Sequence, residues 1–334
     1  MQSRVYKVGT WPKAVHSFPL TVGQVFRHYT MIPCDASAIF YHYTTHAGLK
    51  GILRSGGFRA TNRMGMNDAG EFNYARSVVY EALNEIGRRR DLPNVAQHLI
   101  TYIRMNLDKF LTDTPEMSRA YCACLTVSSD HPGQWETYAE HGTGFAIGFN
   151  MSQFLSIHVP EVQRGEPFVF CAPVTYNQQN QRNLVWRLVN AGICDLQTFA
   201  ATCSRKSENL TALRDRITLE IVAHLLSLID FIKNPIYESE REIRLILDPN
   251  DGTLNAPHTR SYERDNELIP FIFMDLRNPK TTRLPLAEIK VGPNAFFPEE
   301  KAFVEDLIQE LGYGSNYGDL PRITQSLNAM DGSL

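Results

Sequence analysis

Apolar positions in this chain follow two periodicities, and each periodicity is found in its own parts of the sequence. Short runs of alternating or continuous apolar residues predict β-strands. These strands are AIFYHYT, YCACLTVS, TGFAIGFN, FVFCAPVTY, REIRLIL, LIPFIFMDL and LAEIKVGP. Segments with apolar residues every three or four positions predict longer helices near 68–118 and 180–235, and another helix at 299–311. Short helices are predicted after the first strand, stopping at Gly56-Gly57, and from Pro132.

This order of elements predicts the fold class. Strands and helices come in separate clusters without regular alternation, which favours α+β over a doubly wound parallel sheet. We expect one domain at 38–312, with helical insertions near 68–118 and 180–235. Residues 1–37 contain three prolines and are predicted to form an N-terminal arm, and residues 313–334 a C-terminal tail.

Composition narrows the class of protein. The 334 residues are 43% apolar, enough for a sizeable core, and a formal charge of -3 gives no global field that would gather nucleic acid or an anionic membrane. The amino terminus lacks a signal-peptide pattern and the most apolar helical segment is too short to span a bilayer, so we expect a cytoplasmic protein. Six cysteines without a Cys-x-x-Cys pair indicate reduced core thiols.

Several common kinds of cofactor-binding and catalytic site are disfavoured because the sequence lacks their motifs. The chain has no glycine-rich dinucleotide fingerprint, no P-loop, no zinc-protease motif and no serine-hydrolase elbow. His42 and His46 are four residues apart, but one is predicted on a strand and the other on a helix, so we expect no metal site. If the protein uses NAD, it does so without a Rossmann fold.

Three short patterns place polar groups where a core strand or its neighbouring helix should be apolar. His42 stands at mid-strand between two tyrosines; it is either a histidine satisfied by a carbonyl or a ligand-binding group. Trp135 and Tyr138 share a helix face ahead of a glycine-rich turn. They either pack the helix against the sheet or offer a stacking surface for a ligand, which the glycines would allow to approach closely.

The third pattern is the charged start of the strand REIRLIL. On a strand, Glu240, Glu242 and Arg244 would share one face, and the residues between them the other. A solvated edge strand would explain these charges. A catalytic carboxylate at the rim of the core would explain them equally.

Taken in order, these stretches resemble the family known as domain of unknown function 2971, over about residues 40–295. The resemblance is carried by YHYTTHAGLKGIL, RMGMNDAGEF, CLTVSS, QWETYAEHGTGFAIGF, NPIYESEREIRLIL and EIKVGPNA. It implies an ADP-ribosyltransferase-like split β-sheet core with helical insertions, of the His-Tyr-Glu type. It also implies NAD as substrate and a macromolecular acceptor of protein or nucleic acid. The charge and the short apolar segments described above indicate no membrane partner.

The resemblance also implies roles for individual residues. His42, with Thr44 beside it, would bind a ribose hydroxyl of NAD, Tyr138 would stack on nicotinamide, and Glu242 would be the catalytic glutamate. Glu240-Arg241-Glu242 also resembles the E-x-E arrangement of transferases that modify arginine, in which the earlier glutamate engages the acceptor; equally, Glu240 would simply pair with Arg241 or Arg244 on the surface. Four further residues are assigned to the dinucleotide site by the same resemblance: Tyr43, Thr126, Trp135 and Arg244.

The expected function is mono-ADP-ribosylation of an intracellular macromolecule, as in a toxin or defence effector. Cleavage of the nicotinamide–ribose bond builds an oxocarbenium-like cation, and a fixed carboxylate in a sheltered cleft is its natural electrostatic partner. Two alternatives stay open at this point. One is an NAD glycohydrolase, in which water is the acceptor, and the other is a non-catalytic module that binds a nucleotide or a peptide.

Overall fold

The structure is a computed structural model. It describes residues 38–62, 69–113, 120–150, 168–202, 207–248, 259–264, 266–278, 281–313 and 320–328. The predicted arm at 1–37 and part of the predicted tail lie outside these residues.

A mostly antiparallel sheet dominates the described part of the chain, which makes the fold α+β as predicted. Its strands are β1 (Ile39–Thr44), β2 (Gly57–Asn62), β3 (Tyr121–Thr126), β4 (Phe145–Asn150), β5 (Phe168–Pro173), β6 (Glu242–Asp248), β7 (Thr259–Arg264), β8 (Glu267–Asp275), β9 (Leu286–Val291) and β10 (Arg322–Gln325). The main path runs β10-β9-β4-β1-β3-β2-β8-β7, and β6 joins it by pairing with β3 and β5. Among these strands, β9 and β10 pair in parallel and the other pairs are antiparallel; a single parallel bridge also joins Thr175 to Ile232.

The helices divide between two positions. They are α1 (His46–Ser55), α2 (Ala69–Gly87), α3 (Asn94–Asp113), α4 (Pro132–Tyr138), α5 (Gln178–Thr202), α6 (Ser207–Ile229) and α7 (Phe297–Glu310). Helices α2, α3, α5 and α6 pack their apolar stripes against one another in a single cluster. The two insertions expected from the sequence therefore form one helical layer with a core of its own.

A second core lies against one face of the sheet. Alternate residues of β1, β3, β6 and β9 supply it, including Phe40, Leu125, Leu245 and Ile289, and α1 and α7 cover it. This arrangement explains why the apolar runs in the sequence are short and come in two groups. The opposite face carries two smaller apolar clusters, one around Tyr43 and one around Ile246, beside the buried polar side chains of Glu242 and Arg244.

Three strands were absent from the sequence-based prediction. Gly56 ends α1 in the left-handed conformation, at φ 77°, as expected of a helix stop, but Gly57 then begins β2 directly. Strand β7 reads TRSYER and is mostly exposed, so it lacks an apolar period. Strand β10 lies inside the predicted tail; hydrogen bonds to β9 hold it, and its four residues carry too little pattern to be found.

No helix among the described residues is long and apolar enough to cross a membrane.

Candidate functional site

The central feature of the site is a split in the sheet beside β3. One edge of β3 pairs with β6 along its whole length. The other edge pairs with β2 at Tyr121 and Cys122, and with β1 at Thr126. Between these two points β1 and β2 separate, and the gap opens into a cavity of about 1300 Å³ lined by residues of both strands and of β3.

His42 lies in this gap. Its Nδ1 is 2.9 Å from the carbonyl oxygen of Cys124, on the edge of β3 that neither neighbouring strand covers there, and its ring contacts Phe58 at 4.8 Å between centroids. A carbonyl only accepts, so Nδ1 carries the hydrogen and Nε2 keeps its lone pair. Burial lowers the pKa of His42. The ring is thus held neutral, with an acceptor nitrogen for a hydroxyl donor.

Tyr138 lines the same cavity from the last turn of α4 and is 38% exposed. Burial of its hydroxyl, together with the nearby Glu240 carboxylate, raises the pKa of Tyr138 to about 12. The phenol therefore stays neutral at physiological pH. Its partly exposed ring offers a flat apolar face to a ligand.

Trp135 is one turn earlier on α4 but does not line the cavity. It is fully buried, its indole Nε1 donates to Asp130 at 2.7 Å, and its ring meets the ring of Tyr43 edge-on at 4.7 Å. Tyr43 in turn donates to the carbonyl of Ser128 and accepts from the amide of His131. Trp135 and the Tyr43 ring thus hold α4 and its loop on the sheet, and the Trp135 ring has no face left for stacking on a ligand.

The glycine-rich turn after α4 also serves packing. A Cβ on Gly144 would lie 2.4 Å from the carbonyl oxygen of Thr44, which is far inside van der Waals contact. Gly144 is therefore required by the approach of the turn to β1. The interpretation that these glycines make room for a ligand is not needed to explain them.

Glu242 is the first residue of β6, and it is buried with its carboxylate at the cavity wall. Its Oε1 accepts from Arg244 Nε at 2.8 Å, and its Oε2 accepts from Arg244 Nη2 at 3.0 Å and from Lys233 Nζ at 3.1 Å. Burial alone would raise the pKa of Glu242, but the two cations outweigh it and lower the pKa to about 2. The carboxylate is therefore ionised at physiological pH and fixed in direction.

A wider ion network surrounds this carboxylate. Arg244 also pairs with Glu71 and donates from Nη1 to the carbonyl oxygen of Asp230 at 2.7 Å. Lys233 is 2.6 Å from Glu240 and 3.8 Å from Glu71. Three carboxylates thus share two buried cations, which leaves one negative charge in excess. We call this set, Glu71, Lys233, Glu240, Glu242 and Arg244, the ion network.

Glu240 reaches the network from a different element than the sequence suggested. It ends a 3₁₀ turn, Pro235–Glu240, and Arg241 follows in the left-handed region at φ 45°. The strand begins only at Glu242, so strand alternation does not relate Glu240 to Glu242. Thr126 donates to the carbonyl oxygen of Glu240 at 2.7 Å and holds that turn in place. The solvated-edge explanation is also wrong, because β6 has strands on both sides.

The predicted site residues therefore fall into two groups. Those that line the cavity are His42, Tyr43, Thr44, Tyr138, Glu240 and Glu242. Thr126, Trp135 and Arg244 lie behind its wall and support it through the contacts described above. Tyr43 lines the cavity although its ring packs against Trp135.

Sequence reasoning missed Lys233, Glu71 and Tyr176. Lys233 follows the apolar pair Phe231-Ile232 at the end of the helical insertion, and the hydroxyl of Tyr176 accepts from the backbone amide of Glu242 at 3.0 Å. A buried lysine can be suspected from its apolar neighbours. The partners of this lysine cannot be predicted in the same way, because most of the helical layer separates Glu71 from Glu242 along the chain.

Comparison with known proteins bears on part of this site. Residues 134–245 match the model of a family described as protein of unknown function, DUF2971. The DUF2971 match begins at Gln134 and ends at Leu245, so it contains Tyr138, Lys233 and Glu242 but stops short of His42 on the amino-terminal side. No curated protein and no solved structure matches this chain.

Within the described residues, no group of three or more histidine, cysteine, aspartate or glutamate side chains is arranged to hold a metal ion.

Proposed function

We propose that this protein is an NAD-dependent mono-ADP-ribosyltransferase with an ADP-ribosyltransferase-like fold, and that it transfers ADP-ribose to a macromolecule. One observation carries the proposal: a neutral histidine, a partly exposed tyrosine ring and an ionised glutamate line one cavity at a split in the sheet. These are His42, Tyr138 and Glu242. The cavity exceeds the roughly 300–1,000 Å³ typical of small-molecule sites, so it has room for a dinucleotide and an acceptor group together.

Glu242 supplies the electrostatic part of the reaction. The bond between the ribose C1′ and the nicotinamide nitrogen breaks, and its electron pair leaves with the nitrogen, so that nicotinamide departs neutral and positive charge builds on the ribose. A carboxylate held in place before the reaction stabilises that charge without reorganising. Glu242 is held in this way by Arg244 and Lys233, with its carboxylate at the cavity wall.

Tyr138 and His42 would position the dinucleotide. The partly exposed ring of Tyr138 would stack on nicotinamide, and its neutral phenol adds no charge that would oppose departure of the leaving group. The Nε2 of His42 would accept from a ribose hydroxyl, since Nδ1 already donates to Cys124. Thr44 lies beside it on the cavity wall. Fixing C1′ near Glu242 in this way removes much of the entropic cost of reaction.

Glu240 is the residue that would act on the acceptor. Its carboxylate is more exposed than that of Glu242 and is tied to the same lysine. The acceptor atom attacks C1′ and gives up its proton as the new bond forms. Glu240, at the mouth of the site, is the group we assign to orient the acceptor and take that proton.

The test is incubation of the purified protein with NAD carrying a label in its adenine half, with and without cell extract. Transfer predicts that free nicotinamide and labelled macromolecule appear together, and only with extract. Nicotinamide release at an equal rate without extract, and without labelled product, would identify an NAD glycohydrolase. NAD binding with no release in either case would identify a non-catalytic binding module.

A further inference from the structure

A second wall of the same cavity is rich in arginine and aromatic side chains. Strand β8 pairs with β2 on one side and with β7 on the other, and the register sets Arg59 opposite Phe273 and Arg260 opposite Phe271. Directly opposed residues project from the same face of an antiparallel sheet. This face, made of Arg59, Arg260, Tyr262, Phe271 and Phe273, is called the arginine wall below; all five residues line the cavity.

The arginine wall contributes two arginine side chains to the cavity. The guanidinium carbon of Arg59 lies 5.5 Å from the ring centre of Tyr262 and 5.3 Å from that of Phe271. Neither Arg59 nor Arg260 has a carboxylate within ion-pair distance in the described part of the chain. Arg264, further along β7, differs from these two arginines because it lies directly opposite Glu267.

The wall also combines the two kinds of group that single-stranded nucleic acid needs. Guanidinium groups bind phosphate oxygens in a bidentate manner, and partly exposed aromatic rings accept bases of any sequence by stacking. Tyr262 is partly exposed, and the ring of Phe271 packs beside it, with the two ring centres 5.8 Å apart. The overall charge of -3 attracts no polyanion to the protein as a whole, so the attraction is confined to this wall.

We infer that the arginine wall binds a single strand of nucleic acid and leads it towards Glu240 and Glu242 in the same cavity. This deepens the proposed function by naming the class of acceptor. The inference rests on charge and aromatic faces that the NAD-site argument does not use. It is tested by binding without NAD, so failure of the proposed transferase activity and failure of this inference are distinguishable.

The experiment measures fluorescence anisotropy of a labelled single strand of about twelve nucleotides, within the range of known single-strand sites, between roughly 50 and 200 mM salt. Wild-type protein should bind the strand, with affinity falling linearly on a log–log plot against salt. Arg59→Gln and Arg260→Gln should each weaken binding and reduce the steepness of that plot by about 0.7 per lost phosphate contact. Tyr262→Ala should weaken binding roughly 5- to 150-fold and leave the slope unchanged, since a stacked base releases no counterion.

Arg322→Gln is the matched control, because Arg322 is an exposed strand arginine outside the cavity. It should leave both affinity and slope at the wild-type values. The inference is overturned if the single strand does not bind, if Arg322→Gln weakens binding as much as Arg260→Gln, or if a duplex of the same sequence binds equally well. It is also overturned if excess NAD alone displaces the strand by competing for Arg59 and Arg260, which would make the wall a dinucleotide subsite.

Discussion

Replacement of Lys233 by Met isolates the contribution of the ion network. The substitution keeps most of the unbranched side chain and removes an ammonium that is 2.6 Å from Glu240, 3.1 Å from Glu242 and 3.8 Å from Glu71. Arg244 would then pair with Glu71 and Glu242, and Glu240 would lose its cation. Removing one partner from a buried ion pair costs about 3–5 kcal/mol, because the remaining charge stays buried. We expect a loss of that size in the free energy of unfolding at neutral pH.

The loss should depend on pH in a defined direction. In the wild type the pKa of Glu242 is about 2, below its ordinary value of 4.5, so its contribution is complete above pH 4.5 and disappears as pH falls towards 2. In Lys233→Met one of the two cations that lower the pKa of Glu242 is gone, so this variant has less electrostatic stabilisation to lose as pH falls. The difference between the two proteins is therefore largest near neutral pH and shrinks in acid.

Urea denaturation at a series of pH values measures this difference, with Lys301→Met as control. Lys301 pairs with Glu305 at 3.6 Å on an exposed face of α7, where an ion pair is worth roughly 0–1 kcal/mol. A loss in Lys233→Met no larger than in the control would refute the claim that the network is held together by this lysine. A large loss of the same size at every pH would refute its electrostatic origin.

Three further substitutions test the other parts of the site. Tyr138→Phe should keep most NAD binding, whereas Tyr138→Ala should lose roughly 1–3 kcal/mol of it in calorimetry; equal losses would assign the effect to the hydroxyl. Trp135→Ala should lower the free energy of unfolding by about 3–5 kcal/mol, and a variant as stable as wild type would disprove its packing role. Because burial lowers the pKa of His42 below 6.5, wild-type stability should fall as pH drops below 6.5. Thermal unfolding of His42→Gln should show a flatter dependence of melting temperature on pH, and parallel profiles for the two proteins would contradict this.

The sequence predicted those parts of the fold that have a strong local pattern. The apolar runs around Phe40, Leu125 and Leu245 became strands of the sheet, and the two helical insertions formed helices because their apolar residues recur every three or four positions. Strands β7 and β10 were missed, since hydrogen bonds to neighbours hold them and their own residues are mostly polar or exposed.

The candidate site was predictable where a polar residue interrupts an apolar pattern. His42, Tyr138 and Glu242 each do so, and each lines the cavity. The roles of Trp135 and Arg244 were not predictable, because a residue's neighbours in the chain do not reveal whether its side chain faces a cavity or the layer behind it. Lys233 and Glu71 join Glu242 only through packing of the helical layer against the sheet.

The measurement that tests the central claim most directly is nicotinamide release by Glu242→Gln, made beside NAD affinity and melting temperature. The substitution keeps volume and leaves Glu71 and Glu240 to balance Lys233 and Arg244, so we expect a folded protein. Ground-state NAD lacks the full ribosyl cation, so affinity should change little while release falls about 10²–10³-fold. Glu305→Gln, on the exposed face of α7, should release nicotinamide at the wild-type rate. A Glu242→Gln protein that is folded, binds NAD and releases nicotinamide as fast as wild type would contradict the account.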